Sequence, residues 1–254
     1  MECSCEKCLM ALRFPPESGD AMPKVNVKDK RKQQLIDANI TSIARRGLAD
    51  TTIAHVCDGA KMSRGIVNFY FTSKEKMMQE TLVYLVNEQS VCWQEAVAAR
   101  RAQTQEPLAL VEAMLRSLLG DRLCSVRRLS AWNAFIGHAG THTGYAKLIR
   151  QADEQFIKQA KSLFQQTGIK DKTAEKYAQQ LLALIRGHHV MSFLNTQASR
   201  PSSYSDHWAG LLQGWGEAAQ RTPAQTAPAT KPKKPAAQAV LPGQLAFNDF
   251  FAQR

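Results

Sequence analysis

The chain has 254 residues, of which 44% are hydrophobic and 22% charged, and its formal net charge is +11. Such fractions are typical of a folded globular protein and exclude a fibrous or wholly disordered chain, while the charge favours a polyanionic partner such as nucleic acid. No apolar run approaches the roughly 18 residues of a membrane span, so we expect a cytoplasmic, nucleoid-associated protein with no membrane partner.

The first 21 residues show no helical periodicity. Cys3, Cys5 and Cys8 lie close together there, and their thiolates could bind a metal, but zinc takes four ligands and no fourth Cys or His is near. We therefore predict neither a metal nor a cofactor. A basic helical pattern begins directly after Met22, so residues 1–21 are expected to be unstructured or to precede the true translation start.

Four helices are predicted in the next segment. Apolar residues recur at three- and four-residue steps over residues 28–46, and Gly47 supplies the left-handed turn that ends this first helix. The second and third helices are short, and the fourth is long. Each follows a residue whose side chain can cap it: Asp50 or Thr51, Ser63 and Ser73.

Further amphipathic segments predict a larger helical body, and no segment has the alternation of a strand. The predicted helices cover residues 107–119, 123–138, 142–167, 173–197 and 203–220. We divide the chain into a small domain at 22–76, a larger one at 77–220, and a basic Pro- and Ala-rich tail at 221–254. The tail is expected to be disordered because it lacks the apolar residues of a core.

The second and third short helices, joined by a tight turn, have the arrangement of a helix-turn-helix, whose second helix enters the major groove of DNA. Arg64 and Asn68 lie four residues apart on one face, where they suit guanine and adenine. Gly65 lets the backbone approach the duplex, and three other residues are placed to bind phosphates. The predicted DNA-binding residues are Thr52, Ser63, Arg64, Gly65, Asn68, Phe69, Tyr70 and Lys74.

Charge supports this interpretation. Residues 22–76 carry eleven Lys and Arg against five Asp and Glu, an excess of six. The alternative is that these charges are only the solvated faces of three helices.

Three stretches carry a resemblance to a known family: "TTIAHV" at 51–56, "SRGIVNFYF" at 63–71 and "SKE" at 73–75. They resemble the DNA-binding domain of TetR-family transcriptional regulators, and more narrowly that of a choline-responsive repressor. The resemblance implies an all-α fold with a three-helix DNA-binding domain and a larger ligand-binding and dimerisation domain. It also implies a homodimeric repressor on a palindromic operator of choline- or glycine betaine-related genes.

Three residues depart from that family pattern. Lys61 occupies a turn position usually held by Gly, where a left-handed backbone is costly for other residues. Phe69 replaces a common His and is expected to meet a thymine methyl group rather than donate a hydrogen bond. Arg186 stands where an Asp is expected, which leaves the effector open.

Two classes of small-molecule effector are consistent with the sequence. Trp93, Trp132, Phe135 and Tyr145 could form an aromatic cage for a choline-like cation, although aromatics at helical spacing are also ordinary core residues. A second set of residues would favour an anionic effector: Arg127, Arg128, Arg186, His188 and His189.

An enzyme and a non-specific DNA-binding protein are the two other classes of function to compare with a regulator. No nucleotide-binding loop, nucleophile elbow or zinc-protease pattern occurs, so we do not expect an enzyme. A non-specific architectural DNA-binding protein is the remaining alternative to a sequence-specific regulator.

Overall fold

A computed structural model describes residues 27–194 and 210–217 of the chain. All regular elements in these two ranges are helices, which confirms the all-α prediction: α1 (Val27–Asp50), α2 (Ile53–Ala60), α3 (Arg64–Tyr70), α4 (Lys74–Arg101), α5 (Pro107–Leu119), α6 (Val126–Ala139), α7 (Thr143–Gln166), α8 (Asp171–Leu194) and α9 (210–217). None of the described helices is both long and apolar enough to cross a bilayer. The predictions for residues 1–21, including the cysteine cluster, and for the tail at 221–254 lie outside the described residues.

Gly47, where the sequence predicts the end of the first helix, is a non-helical break within α1, three residues before its last residue. Gly47 has φ 81° and ψ 172°, a backbone conformation that only glycine adopts easily. The Thr51 hydroxyl donates to the Gly47 carbonyl at 2.8 Å and accepts from Ser42, so its side chain is engaged within the turn. The predicted cap at Asp50 or Thr51 is therefore wrong. The Thr52 hydroxyl caps α2 instead, by accepting from the His55 amide.

The turn between α2 and α3 contains the strained residue that the sequence singles out. Lys61 adopts a left-handed conformation, φ 55° and ψ 43°, and its amide donates to carbonyls at the end of α2. Ser63 precedes α3 in the N-cap position but its side chain makes no capping hydrogen bond, contrary to prediction. At α4 the predicted cap is confirmed, since the Ser73 hydroxyl accepts from the Lys76 amide at 3.1 Å.

The hydrophobic residues form two clusters. The first, which we call the proximal core, joins the DNA-binding helices to the start of the helical body. It contains buried residues of α1 to α4 together with residues of α6 and α7, and among its members are Leu35, Val56, Val67, Phe71, Leu82, Phe135 and Tyr145. A buried hydrogen bond of 2.8 Å from the Asn39 amide to the Thr81 hydroxyl ties α1 to α4 inside it.

The second cluster, the distal core, fills the rest of the body. It is formed by the second half of α4 with α5, the later part of α7, α8 and α9, and its members include Trp93, Leu110, Met114, Phe164, Leu181 and Trp215. Helix α4 contributes to both cores, with Met77 to Val86 in the proximal one and Cys92 and Trp93 in the distal one. The two cores are thus held by one continuous helix.

The proximal core also crosses the predicted domain boundary at residue 76. Arg127, near the start of α6, donates to the Thr41 hydroxyl at 3.0 Å and to the Asp37 carbonyl at 3.3 Å, both on α1. At the N-terminus of α7, the His142 ring lies 2.9 Å from the Glu75 carboxylate and stacks on Tyr145. These contacts connect the helices beside the candidate DNA-reading helix to the body.

Candidate nucleic-acid interface and interior site

The inner side of α3 is anchored in the proximal core. Val67 and Phe71 are fully buried there, and because successive helical residues are about 100° apart, the residues between and before them face away from the core. Arg64, Gly65, Asn68 and Phe69 are all exposed. The structure therefore places the four candidate base-contacting residues on the outer side of one short helix.

The predicted phosphate-binding residues Thr52, Tyr70 and Lys74 lie around this helix, as does Ser63, which was predicted to cap it. Thr52 and Ser63 are exposed at the N-termini of α2 and α3, and Tyr70 is half-buried at the end of α3. The Ser63 hydroxyl makes no cap bond, which leaves it available to a ligand. Lys74 has a structural contact that the sequence does not reveal, since its amine donates to the Ala49 carbonyl at 2.7 Å. Its two other N–H groups can still reach a phosphate.

Gly65 is not required by the fold. It lies within regular helix, and a β-carbon added there would meet only the Ser63 hydroxyl at 3.9 Å. A glycine inside a helix lowers stability relative to alanine, yet nothing inside the protein occupies the space it leaves. The open space faces outward, on the side of Arg64 and Asn68.

A second candidate site lies between the two cores. Along α4 the change from proximal to distal core occurs at Glu88 and Gln89, and along α7 it occurs at Asp153. We call the polar residues at this level the interior polar belt, and it comprises Glu88, Gln89, Arg128, Asp153, Arg186 and His189. Belt side chains from four helices meet one another instead of joining either core.

Two ion pairs dominate the belt. The Glu88 carboxylate pairs with the Arg128 guanidinium, and both side chains are largely enclosed. Arg186 on α8 pairs with Asp153 on α7 and donates to the Gln89 amide oxygen at 3.3 Å. Its guanidinium also lies 4.4 Å from the centre of the Trp132 ring, on the ring face. Arg186 thereby links four helices through three kinds of contact.

His189 completes the belt as a neutral side chain. It is 2% exposed, and its Nε2 lies 2.9 Å from the Leu118 carbonyl, so we assign the proton to Nε2. Burial lowers the pKa of His189 to about 4, because charging the ring inside the protein removes it from water. The Leu118 carbonyl opposes this shift, whereas Arg186 and His188 add to it.

Two small cavities flank the belt. One is lined by Glu88, Arg128, Trp132 and His189 among others, and the second by Trp93, Asp153, Phe156 and Arg186 among others. Their volumes, about 10 and 20 Å³, have room for about one water molecule each. Gln89 lines both cavities.

The four aromatic residues predicted to form a cation cage are divided between the two cores: Trp132, Phe135 and Tyr145 belong to the proximal core and Trp93 to the distal core. Phe135 and Tyr145 pack edge to face in the proximal core, with ring centres 5.2 Å apart. Trp93 belongs to the distal core, where it packs against Phe156. Trp132 lines a cavity, but Arg186 covers one of its faces.

The cationic set predicted as an alternative is likewise divided. Arg128, Arg186 and His189 are in the belt, whereas Arg127 contacts α1 and His188 lies 3.1 Å from the Ser192 hydroxyl. The acidic partners Glu88 and Asp153 were missed. In the sequence, apolar residues lie three or four positions before and after each of these two carboxylates. That spacing puts the carboxylates on an apolar helix face, and it is the one signal that could have revealed them. In the described ranges, no cluster of His, Cys, Asp and Glu fits a metal ion.

Comparison with known proteins identifies the class of this fold. Residues 35–81 match the family model of bacterial regulatory proteins of the TetR family. These residues run from α1 through the helix-turn-helix into α4, so they include every candidate DNA contact. This segment is similar to the DNA-binding domain of TetR-family regulators, and the predicted resemblance and TetR-like fold are confirmed.

The chain is also similar to BetI. It is 32% identical over 114 residues to the HTH-type transcriptional regulators BetI of Burkholderia cenocepacia (strain HI2424) and Burkholderia thailandensis (strain ATCC 700388). The match covers 45% of this chain and 57% of each relative, so the chain spans a little more than half the length of the curated relatives it matches.

Solved structures share the fold at lower identity. A transcriptional regulator from Rhodococcus sp. RHA1 superposes with a TM-score of 0.64 at 21% identity, over 76% of this chain and 99% of that one. A regulator from Saccharomonospora viridis, solved in complex with choline, superposes with a TM-score of 0.55 at 18% identity. The superposition covers 74% of this chain and 96% of that one. These likenesses concern the fold alone.

We predict that Gly65→Ala separates stability from DNA binding. The added methyl should raise the free energy of unfolding by about 0.5 to 1 kcal/mol, because alanine is the better helix former. DNA affinity should fall, because the methyl fills the space before the candidate base-contacting side chains. Chemical denaturation and fluorescence anisotropy with duplex DNA measure the two effects. Unchanged DNA affinity would show that the open space at Gly65 is not used.

We also predict a pH-dependent stability that arises from His189. The folded-state pKa of about 4 is below the usual 6.5, so the unfolded state binds the proton more readily. Stability should be constant above pH 7 and fall by up to about 3 kcal/mol as the pH drops from 6.5 towards 4. In His189→Gln, whose amide can still donate to Leu118 but does not titrate, most of this fall should disappear from urea unfolding curves. If the free energy of unfolding falls equally in the wild type and in His189→Gln, a group other than His189 causes the pH dependence.

Proposed function

We propose that the chain is a sequence-specific DNA-binding transcriptional regulator. In this proposal it acts at the nucleoid in the cytoplasm, binds a palindromic operator as a homodimer, and represses transcription until a small-molecule effector releases it. The observation that carries the proposal is the outer side of α3. There Arg64, Gly65 and Asn68 are exposed together, and the glycine serves no need of the fold.

The roles of the site residues follow from their chemistry. Arg64 presents paired donors that suit guanine, and Asn68 presents a donor and an acceptor that suit adenine. Thr52, Ser63, Tyr70 and Lys74 offer O–H or N–H donors around α3, where they would bind phosphate oxygens and fix the register of the helix on DNA. Phe69 has no polar group and would contact the groove through its ring.

Dimerisation is supported by an exposed apolar face at the end of α8. Val190, Met191 and Leu194 are 45%, 47% and 66% exposed there, and Leu211 on α9 is 41% exposed. Three large apolar side chains within five residues of one helix form a surface that a partner would cover. In the TetR family, which this chain resembles, the last two helices pair across a two-fold axis, and we propose the same for α8 and α9.

Two effector classes remain, and the belt favours one of them. The similarity to BetI and the fold shared with a choline-bound regulator support a choline-like cation. Arg186, however, already lies on the face of Trp132, which is where a quaternary ammonium would bind. A carboxylate could instead compete with Asp153 for the Arg186 guanidinium. We therefore propose an effector that carries a carboxylate, with or without a quaternary ammonium group.

Effector binding would change the shape of the protein because the belt cavities have room for only about one water molecule each. A larger molecule would have to displace Arg186 or separate the helices that the belt joins. Since α4 belongs to both cores, and α6 and α7 contact the DNA-binding helices through Arg127 and His142, such a change would reach α3. The effector would then favour a conformation with poorly spaced recognition helices.

The proposed regulator is tested by selecting bound sequences from a random duplex library with the full chain. We expect an inverted repeat that is bound far more tightly than random DNA at two salt concentrations. A non-specific architectural protein would bind the selected and the random duplex with equal affinity, and both affinities would fall together as the salt concentration rises. Selection of no sequence would contradict the proposal.

On the selected operator, Arg64→Ala should weaken binding by about 1 to 3 kcal/mol and relax the preference at one base position per half-site. Arg101→Ala, which removes an exposed arginine at the other end of α4, is the matched control and should leave binding unchanged. Anisotropy titrations against the operator and its single-base variants measure both. Equal losses on every sequence would assign Arg64 to phosphate binding instead.

Met191→Glu should convert the dimer to a monomer, because a carboxylate in the middle of the α8 apolar face would be buried without a partner. Ile136→Glu introduces the same charge at another exposed apolar residue, 41% exposed on α6, and should leave the dimer intact. Sedimentation velocity distinguishes the two states. A monomeric wild-type chain, or dissociation by both variants, would argue against this interface.

Choline and glycine betaine form a matched pair for the effector, since both carry a trimethylammonium group and glycine betaine adds a carboxylate. We expect the wild-type chain to bind glycine betaine at least tenfold more tightly, because a charge-assisted hydrogen bond contributes about 1.5 to 3 kcal/mol. Arg186→Gln should remove this difference, and Arg186→Lys should keep part of it. Calorimetric titration measures each affinity. If all three proteins bind choline more tightly than glycine betaine, the effector is a choline-like cation without a carboxylate.

A further inference from the structure

The environment of Phe69 makes the proposed groove contact of its ring more specific. Its side chain is 69% exposed, more than any other large apolar residue in the described ranges. It is two residues from the buried Val67, and therefore on the opposite side of α3. The ring touches the edge of Tyr70, with centres 5.2 Å apart, and Lys28 holds its amine 5.2 Å from the ring centre. Neither contact buries the ring.

Gly65 and Phe69 together form a small apolar notch. They are four residues apart, so they are neighbours on one face of α3. Helical side chains are directed towards the preceding turn, which for Phe69 is the turn that contains Gly65. The β-carbon position of Gly65 is open apart from the Ser63 hydroxyl at 3.9 Å. The notch is this open position together with the exposed Phe69 ring on the same face of α3.

Few groups on DNA complement such a notch. Phosphates and most base edges require hydrogen-bond donors or acceptors, and a phenyl ring offers none. In the major groove, the apolar group that distinguishes one base from another is the C5 methyl of thymine. The same methyl is present on 5-methylcytosine.

We propose that the Gly65–Phe69 notch reads the C5 methyl group of a pyrimidine at one position in each half-site. The proposal rests on the proposed function, since it requires α3 to lie in the major groove. Lys28 has two roles in this arrangement: its amine holds the ring from one side through a cation–π contact, and it adds positive charge beside the duplex. The notch thus makes Phe69 a residue that determines operator specificity.

The test removes one methyl group at a time from the DNA. In the selected operator, each dT is replaced by dU, which pairs identically but lacks the C5 methyl. For the wild-type chain we expect one position per half-site where this replacement weakens binding about fourfold, the effect of burying one methyl-sized group. Phe69→Ala should bind the dT and dU operators equally. Because Phe69 is exposed, this variant should unfold at the wild-type temperature.

A second pair of duplexes checks the chemistry of the contact. The same position is changed to dC, with or without a C5 methyl group. Methylation should strengthen binding by the wild-type chain and have no effect on Phe69→Ala, while Phe69→Leu should keep part of the response. Two results would overturn the proposal for the notch and leave the proposed function intact. In the first, the operator is bound specifically but removal of no C5 methyl group changes the affinity. In the second, Phe69→Ala shows the same changes in affinity as the wild type. If no sequence is selected at all, both are overturned.

Discussion

Helix α4 is buried in two hydrophobic cores at once, and this constraint limits how far the two cores can move independently of each other. Its first half packs with the DNA-binding helices and its second half with the helices of the distal core. Cores packed at crystal-like density do not deform continuously, so a displacement at one end of a 28-residue helix is passed to the other instead of being absorbed. The Asn39–Thr81 hydrogen bond and the contacts of Arg127 fix α1 to the same assembly.

The DNA-binding helices could be predicted well from the sequence because the signals for them are local. The positive-φ break at Gly47, the Ser73 cap, and the four-residue spacing of Arg64 and Asn68 each depend on a few neighbouring residues. Two local predictions failed: the Ser63 side chain makes no cap bond, and Thr51 is engaged elsewhere. Thr51 does not cap α2 because its hydroxyl is held by Gly47 and Ser42, and Lys74 is held by a carbonyl 25 residues earlier.

The interior site could not be predicted in the same way. Glu88 and Asp153 resemble ordinary surface carboxylates in the sequence, and each becomes interior only because a helix far along the chain supplies an arginine. The aromatic residues were identified correctly as buried groups, but their grouping depends on which face each helix turns towards its neighbours. Helical spacing gives the faces of one helix and says nothing about how four helices are rotated relative to one another.

The position of the polar belt between two cores has a consequence for how this protein could evolve. Enclosed ion pairs contribute little net stability, since the loss of hydration offsets most of their attraction. Paired substitutions at the belt would therefore alter the chemistry of the interior while both hydrophobic cores keep their packing. Under the proposed function, ligand preference and core packing would be carried by different residues, so a lineage could exchange one small-molecule signal for another by replacing both members of a pair.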